Sequence, residues 1–135
     1  MGFSISSVMP TIAVDDLDRA IRFYSDKLGL SVRRLGDEPS AALVEVGDSG
    51  RLLLYQSTYK RGETTYASFL CDDVETTVRE LRERGVTFEE YDFPGLKTVN
   101  GIATTGELKT GWFKDSEGNV LAISNESAEI VRKAA

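Results

Sequence analysis

The sequence repeats itself along the chain, and this repeat constrains the fold more than any other feature. Residues 12–17 (IAVDDL) align with residues 69–74 (FLCDDV), a shift of 57 positions. In each copy an apolar, strand-like run leads into two aspartates that can cap a helix, and the helix ends at a glycine, Gly29 or Gly85. A turn follows in each half, at residues 47–50 and again at 115–119. The repeat predicts an internal duplication of a β-α-β-β-β unit.

Apolar periodicity places the elements within each copy. The first helix carries an apolar stripe at helical spacing, formed by Leu17, Ala20, Ile21, Tyr24 and Leu28. Its cap is Asp15 or Asp16, and Asp72-Asp73 caps the second helix. Strands are predicted at about 8–14, 30–35, 41–46, 51–56, 68–71 and 120–124. We expect one domain over residues 1–135, with repeats at about 5–57 and 64–125.

Three polar or glycine-rich stretches lie outside these elements. Residues 57–64 are predicted to link the two halves, and residues 92–108 form a loop punctuated by proline and glycine. A loop of the second kind is either a binding segment or a mobile surface connection. The tail, residues 126–135, is predicted to be a short helix.

Composition excludes several classes of function. The chain has no histidine, so a Ser-His-Asp triad, a Cys-His dyad and a histidine-ligated zinc cannot form. A net charge of −6 argues against a nucleic acid or an anionic membrane as a partner. The lone cysteine, Cys71, excludes an intrachain disulfide, and no run is apolar enough to span a bilayer. We therefore predict a cytoplasmic protein, with no secretory signal at the N-terminus.

Two segments together give the chain a family resemblance. Residues 12–24 (IAVDDLDRAIRFY) followed by Leu28-Gly29-Leu30, and residues 113–119 (FKDSEGN), resemble the vicinal oxygen chelate superfamily, with its glyoxalase/bleomycin-resistance/dioxygenase fold. The resemblance covers about residues 5–125. It implies an α+β fold in which two β-α-β-β-β modules form a curved mixed sheet, a cup, around a small-molecule site. It also implies a homodimer, with each cup completed within one chain or across two.

The same resemblance identifies four positions at which the family's metalloenzymes carry ligands. Here these positions are Met9, Leu53 or Leu54, Tyr66 and Ala122. A thioether, aliphatic side chains and a phenol are poor partners for a hard divalent ion. We therefore predict no metal and no other cofactor.

Strand alternation predicts which side chains face the cup. Met9, Thr11 and Ala13 face it on the first strand, while Ile12 and Val14 face the helices. The predicted ligand-binding residues are Met9, Thr11, Leu54, Gln56, Tyr66, Ser68, Phe93, Trp112 and Ala122. Their apolar and aromatic character favours a small organic ligand that is planar, and the net charge favours one that is cationic or neutral. The alternative is that these side chains fill the cup as core.

Four functions remain open at this point. The first is a non-catalytic protein that binds or sequesters a drug or metabolite, as in the bleomycin-resistance branch. The second is a metal-dependent lyase, isomerase or dioxygenase. The third is a metal-free enzyme that uses Tyr66 or a loop carboxylate as an acid or base, and the fourth is a structural or regulatory dimer module. We favour the first. The sequence leaves the ligand and the pathway unidentified, along with any catalytic residue.

Overall fold

The computed structural model of the chain describes residues 9–35, 41–57 and 64–125. The elements of the first half are β1 (Thr11–Val14), α1 (Leu17–Arg22), β2 (Ser31–Arg34), β3 (Ala41–Val46) and β4 (Gly50–Gln56). Those of the second half are β5 (Thr65–Leu70), α2 (Val74–Glu83), β6 (Asp92–Phe93), β7 (Leu96–Lys97), β8 (Ala103–Thr105), β9 (Leu108–Lys114) and β10 (Val120–Ser124). The helix predicted at 126–135 and most of the link predicted at 57–64 lie outside the described residues.

The two halves build matching four-stranded sheets. The first sheet has the order β1-β4-β3-β2 and the second has the order β5-β10-β9-β8. In each, the strand before the helix pairs in parallel with the last strand of the half, as β1 does with β4 and β5 with β10. The prediction of an α+β fold with two modules is confirmed, and the second module carries an additional hairpin, β6-β7.

Aspartate caps start both helices at the predicted places. The side chain of Asp16 accepts a hydrogen bond from the Arg19 N–H, and that of Asp73 accepts one from the Thr76 N–H. These bonds from Thr76, backbone first and then hydroxyl, lower the pKa of Asp73. Each cap satisfies an N–H that the first helical turn would otherwise leave unpaired. Within the described residues, no helix is both long and apolar enough to cross a membrane.

The first helix departs from a regular α-helix after Arg22. Residues Phe23–Lys27 form a π-helical turn, in which the Leu28 N–H donates to the Phe23 carbonyl over 3.2 Å. The wider turn brings both Phe23 and Tyr24 into the core, whereas the periodicity placed only Tyr24 there. Gly29, with φ of +69°, ends the segment as predicted.

One buried core is shared by the two modules. The Phe23 ring lies 6.5 Å from that of Phe113 on β9, and 5.5 Å from the ring of Tyr24. The apolar face of α2, formed by Val74, Val78 and Leu81, belongs to the same buried cluster. The helices and both sheets therefore pack as one body, and the helix-side faces of the strands line this core.

The β9-β10 turn connects the second module to the start of α1 through hydrogen bonds and an ion pair. Glu117 accepts hydrogen bonds from the backbone N–H groups of Asp15 and Asp16 at 3.0 and 2.8 Å. Its carboxylate also pairs with the Arg19 guanidinium through two bonds of 2.7 and 2.9 Å. Burial alone would raise the pKa of Glu117, but the bonds from Arg19 and Asp16 outweigh it and lower that pKa to about 2.

A second buried carboxylate, that of Asp115, also contributes to this connection between the modules. Asp115 accepts hydrogen bonds from the backbone N–H groups of Glu117 and Asn119, and from the hydroxyl of Tyr24 at 2.7 Å. The Asn119 amide donates to Asp115 and, at 2.8 Å, to the Ala13 carbonyl of β1. The turn that the repeat marks as a hairpin thus also joins the two halves of the chain.

Strand pairing confirms the predicted faces of β1, β5 and β10 but reverses that of β4. Parallel partners point to the same side of a sheet, and Leu54 pairs with Ile12, which is buried against the helices. Leu52, Leu54 and Gln56 therefore face the helices, and the prediction that they face the cup is wrong. Leu53 and Tyr55 lie on the cup side instead.

The prediction of a loop over residues 92–108 is also wrong in part, because this stretch contains short strands. Phe93 pairs with Leu96 and Asp92 with Lys97 in the small hairpin, and Ala103 pairs with Thr110 of β9. Backbone hydrogen bonds therefore order residues 92–97 as a separate hairpin and join residues 103–105 to the second sheet.

Candidate functional site: an aromatic cavity on the second sheet

A cavity of about 750 Å³ opens on the cup side of the second sheet. Its floor comes from the strands, through Thr65, Trp112, Lys114 and Val120, and one wall comes from the β6-β7 hairpin. Among the described residues, those that line the cavity are Thr64, Thr65, Glu89, Tyr91, Phe93, Leu96, Trp112, Lys114, Gly118 and Val120. Its volume falls within the range of sites that hold drug-sized molecules.

Three aromatic rings dominate the walls. The rings of Tyr91 and Phe93 are stacked with their centroids 5.9 Å apart and their planes at 29°. The ring of Trp112 meets Tyr91 edge-on, at 5.6 Å and 71°. Phe93 is 60% exposed, which is unusual for a ring held in an ordered hairpin. An exposed ring beside two others forms a surface on which a flat ligand can stack.

Hydrogen bonds of Thr98 and Glu90 stabilise the base of the β6-β7 hairpin. The hydroxyl of the buried Thr98 accepts from the Tyr91 N–H at 2.8 Å and donates to the Glu90 carboxylate at 2.6 Å. Glu90 also accepts from the Gly101 N–H at 2.8 Å. The bonds from Thr98 and then Gly101 lower the pKa of Glu90. The Tyr91–Phe93 wall is therefore fixed before any ligand arrives, which reduces the entropy cost of binding.

One ion pair lies on the rim of the cavity. The ammonium of Lys114 is 3.5 Å from a carboxylate oxygen of Glu89, and both side chains are partly exposed. The backbone segments that carry these side chains are joined by a hydrogen bond, which the Glu89 N–H donates to the Trp112 carbonyl at 2.7 Å. The described lining thus contains one carboxylate and one ammonium, so the preference for a cationic ligand that the net charge suggests has no counterpart in the cavity itself.

Five of the nine predicted binding residues line the cavity or lie beside it. Phe93 and Trp112 line the cavity together. Ser68 and Ala122 are register partners on the same face, and Ala122 pairs in turn with Trp112, so both lie on the adjoining strands. Tyr66 is on the cup side of β5, one residue beyond the lining residue Thr65.

The other predicted residues lie elsewhere. Met9 and Thr11 belong to the cup side of the first sheet, which does not line this cavity. Leu54 is fully buried in the core. The side-chain oxygen of Gln56 accepts from the Leu17 N–H at 3.2 Å and so helps to cap α1. The prediction that Leu54 and Gln56 contribute to the cup is therefore wrong.

Sequence reasoning missed Tyr91, Glu89 and Lys114. Residues 91–93 alternate aromatic, polar and aromatic immediately before Pro94-Gly95, which is the pattern of a short hairpin strand with both rings on one face. That signal could have identified Tyr91. The pairing of Glu89 with Lys114 follows only from the long-range contact between their backbones.

The side chains predicted to occupy the family's metal-ligand positions do not fit a hard divalent cation. On the cup side, Leu53 and Ala122 offer no donor atom, and Met9 offers a soft thioether. Across residues 9–35, 41–57 and 64–125, no three His, Cys, Asp or Glu side chains lie close enough to hold a metal ion. No chemical step through a metal follows from this donor set.

Several solved structures share this fold. UcmS2 superimposes with a TM-score of 0.67 at 19% identity, over 90% of this chain and all of that one. TnmS3, an antibiotic binding protein from Streptomyces sp. CB03234, gives 0.65 at 22% over 93% of this chain and all of that one. The fosfomycin resistance protein FosX from Listeria monocytogenes gives 0.66 at 12% over 98% of this chain and all of that one. At such identities, these similarities establish the fold alone.

Comparison of the sequence with known proteins identifies the family. A probable chloroplastic lactoylglutathione lyase from Arabidopsis thaliana is 30% identical in an alignment of 101 residues that covers 64% of this chain and only 29% of the length of that protein. The family model of the Glyoxalase/Bleomycin resistance protein/Dioxygenase superfamily matches residues 4–123. The chain therefore belongs to the Glyoxalase/Bleomycin resistance protein/Dioxygenase superfamily.

Proposed function

We propose that this protein is a metal-free binding protein that holds a planar organic molecule in the aromatic cavity. The observation that carries the proposal is the arrangement of Tyr91, Phe93 and Trp112, whose neighbouring rings lie 5.6–5.9 Å apart around a cavity of about 750 Å³. A flat ligand stacked there would gain apolar burial and ring contacts without rearranging the hairpin. The fold similarity to an antibiotic binding protein from Streptomyces supports a role in sequestering such a compound.

The chain offers a direct readout for this proposal because its single tryptophan is Trp112. We would titrate the protein with N-phenyl-1-naphthylamine, a neutral aromatic probe, and follow quenching of the Trp112 emission together with the rise in melting temperature. Bound ligand stabilises the folded state by mass action, so both signals should saturate at the same probe concentration.

A matched pair of variants tests whether the probe occupies the cavity. Phe93→Ala removes the exposed ring and should weaken binding about tenfold, from the loss of about 1–3 kcal/mol of stacking and burial. Val99→Ala removes an equally exposed apolar side chain outside the lining and should bind as the wild type does. Equal affinity of both variants, each with a wild-type melting temperature, would contradict the proposal.

We also propose that two copies of the chain associate. In the described part of the chain, β1 is one edge strand of the first sheet and β5 is one edge strand of the second. The cup side at these edges includes the exposed apolar residues Met9, Tyr55, Tyr66 and Leu70, of which Leu70 is 64% exposed. Exposed apolar side chains grouped at the edges of two sheets are suited to contact with the same surface of a second copy. Light scattering should give twice the chain mass of 14.9 kDa, and a mass of one chain at micromolar concentration would refute the dimer.

An enzymatic role is the second candidate, because the probable lactoylglutathione lyase is similar over 101 residues. A metal-dependent lyase, isomerase or dioxygenase needs a bound cation as Lewis acid. Elemental analysis of the purified protein discriminates between the two functions: stoichiometric nickel, zinc, manganese or iron would favour the enzyme. A metal-free enzyme would instead lose turnover, but not binding, on Tyr66→Phe. A cytoplasmic location stays a prediction in either case.

A further inference from the structure

A second cavity, of about 430 Å³, lies beside the aromatic one and shares two of its lining residues, Glu89 and Lys114. It opens on the helix side of the sheet edge, where Phe23 and Lys27 from the π-helical turn meet Gly85, Thr87 and Ser116. The shared rim is the Glu89–Lys114 pair. A molecule stacked against Trp112 can therefore extend across this rim into the second cavity, which we call the lysine groove.

Two ammonium groups, those of Lys27 and Lys114, and two carboxylates, those of Glu89 and Asp115, line the lysine groove. The buried carboxylate of Asp115 is 6% exposed and already accepts four hydrogen bonds, from Tyr24, Glu117 and Asn119. The carboxylate of Glu89 forms an ion pair with the ammonium of Lys114 at 3.5 Å. Among the groups lining the groove, this leaves one ammonium without an anionic partner.

That ammonium belongs to Lys27. None of the ion pairs formed among the described residues involves Lys27, and its ammonium lies 5.9 Å above the Phe23 ring. A cation held only over an aromatic face keeps much of its capacity to bind an anion. The Lys114 pair is loose at 3.5 Å, so an incoming anion can share its ammonium as well.

We propose that Lys27 and Lys114 form an anion subsite beside the aromatic cavity. The ligand is then a planar aromatic compound that carries an acidic substituent, such as a carboxylate or a sulfonate. This inference rests on the proposed binding function and specifies the ligand class for the same site. It is opposite in sign to the preference that the net charge of −6 implies, because the local arrangement of charges outweighs the total at contact distance.

Two probes that differ by one acidic group test the subsite. The first, 8-anilinonaphthalene-1-sulfonate, is N-phenyl-1-naphthylamine with a sulfonate added, and both are read through quenching of Trp112. The measured quantity is the ratio of the two affinities in the wild type, in Lys27→Gln and Lys114→Gln, and in the control Lys109→Gln. Lys109 pairs with Glu75 on α2 and lines neither cavity, so the control removes the same charge elsewhere.

We expect the wild type to prefer the sulfonate, and Lys27→Gln to lower the affinity ratio about fivefold, as for the loss of one charge-assisted contact. Lys114→Gln should lower it too, and Lys109→Gln should leave it near the wild-type value. Raising the salt concentration should lower the ratio in the wild type and have less effect in Lys27→Gln. A ratio that is the same in Lys27→Gln and the control overturns the anion subsite while leaving the aromatic site intact. Failure of both probes to bind the wild type overturns the proposed function and the subsite together.

Discussion

Replacing Glu117 by glutamine tests whether the β9-β10 turn holds the two modules together. In the folded protein the Glu117 carboxylate accepts two backbone N–H groups at the start of α1 and pairs with Arg19 through two bonds. Its side chain is fully buried, whereas that of Arg19 is 49% exposed. The substitution keeps the shape and one acceptor oxygen but removes the charge.

The size of the effect follows from the pKa of Glu117. A decrease from the ordinary value of 4.5 to about 2 corresponds to about 3 kcal/mol in favour of the ionised side chain. Solvent screens part of the interaction because Arg19 is half exposed, and the amide oxygen still accepts a backbone hydrogen bond, so we expect a loss of about 2 kcal/mol. For a chain of this size, that corresponds to a fall of about 7 °C in melting temperature.

The pH dependence identifies the charge as the cause. A carboxylate whose pKa is lowered by folding stabilises fully above its unfolded value of 4.5, and the contribution is lost as the pH falls toward about 2. The difference in unfolding free energy between wild type and Glu117→Gln should therefore be constant from pH 6 to 7 and shrink below about pH 5.

Urea denaturation monitored by circular dichroism at several pH values measures this difference. Glu45→Gln provides the control, because Glu45 forms an exposed pair with Arg33 at 3.5 Å. Exposed pairs of this kind contribute ~0.2–1 kcal/mol, so the control should change stability little. A Glu117→Gln difference that is independent of pH, or no larger than that of the control, would refute the reasoning.

Two further substitutions test the packing around the site. Tyr24→Phe removes the hydroxyl that donates to Asp115 at 2.7 Å inside the core and should cost about 2 kcal/mol in urea denaturation; an unchanged midpoint would mean that this bond adds nothing. Gly101→Ala should lower the melting temperature more than Gly95→Ala. Both glycines have positive φ, but an added Cβ at Gly101 would lie 3.0 Å from the Cβ of the buried Phe88, whereas the space at Gly95 is open. Equal losses would show that the backbone conformation alone determines the cost.

Much of the fold could be predicted from local patterns. The aspartate caps, the terminating glycines and the alternation in β1, β5 and β10 each report a short-range requirement, and each prediction is confirmed. The alternation failed in β4 because its centre reads Leu52-Leu53-Leu54, which is apolar on both faces. Without a polar residue to mark one side, only pairing with Ile12 determines which leucines enter the core.

The site was predictable only in part, for a related reason. Phe93 and Trp112 were identified from their chemical type, but 18 positions separate them along the chain. They line one cavity because the β6-β7 hairpin and the Glu89–Trp112 backbone bond bring the segments together. The predicted contribution of Gln56 failed because its polar group satisfies a helix N-terminus instead.

Residue type and short-range spacing were sufficient to predict the duplicated β-α-β-β-β plan and the positions of the helix caps. Tertiary structure decided which face of β4 is buried, which aromatic rings meet, and that Lys27 and Lys114 border a common groove. These relations depend on strand register and on contacts between residues far apart in the chain, and the free energy that selects them comes from burying both modules in one core.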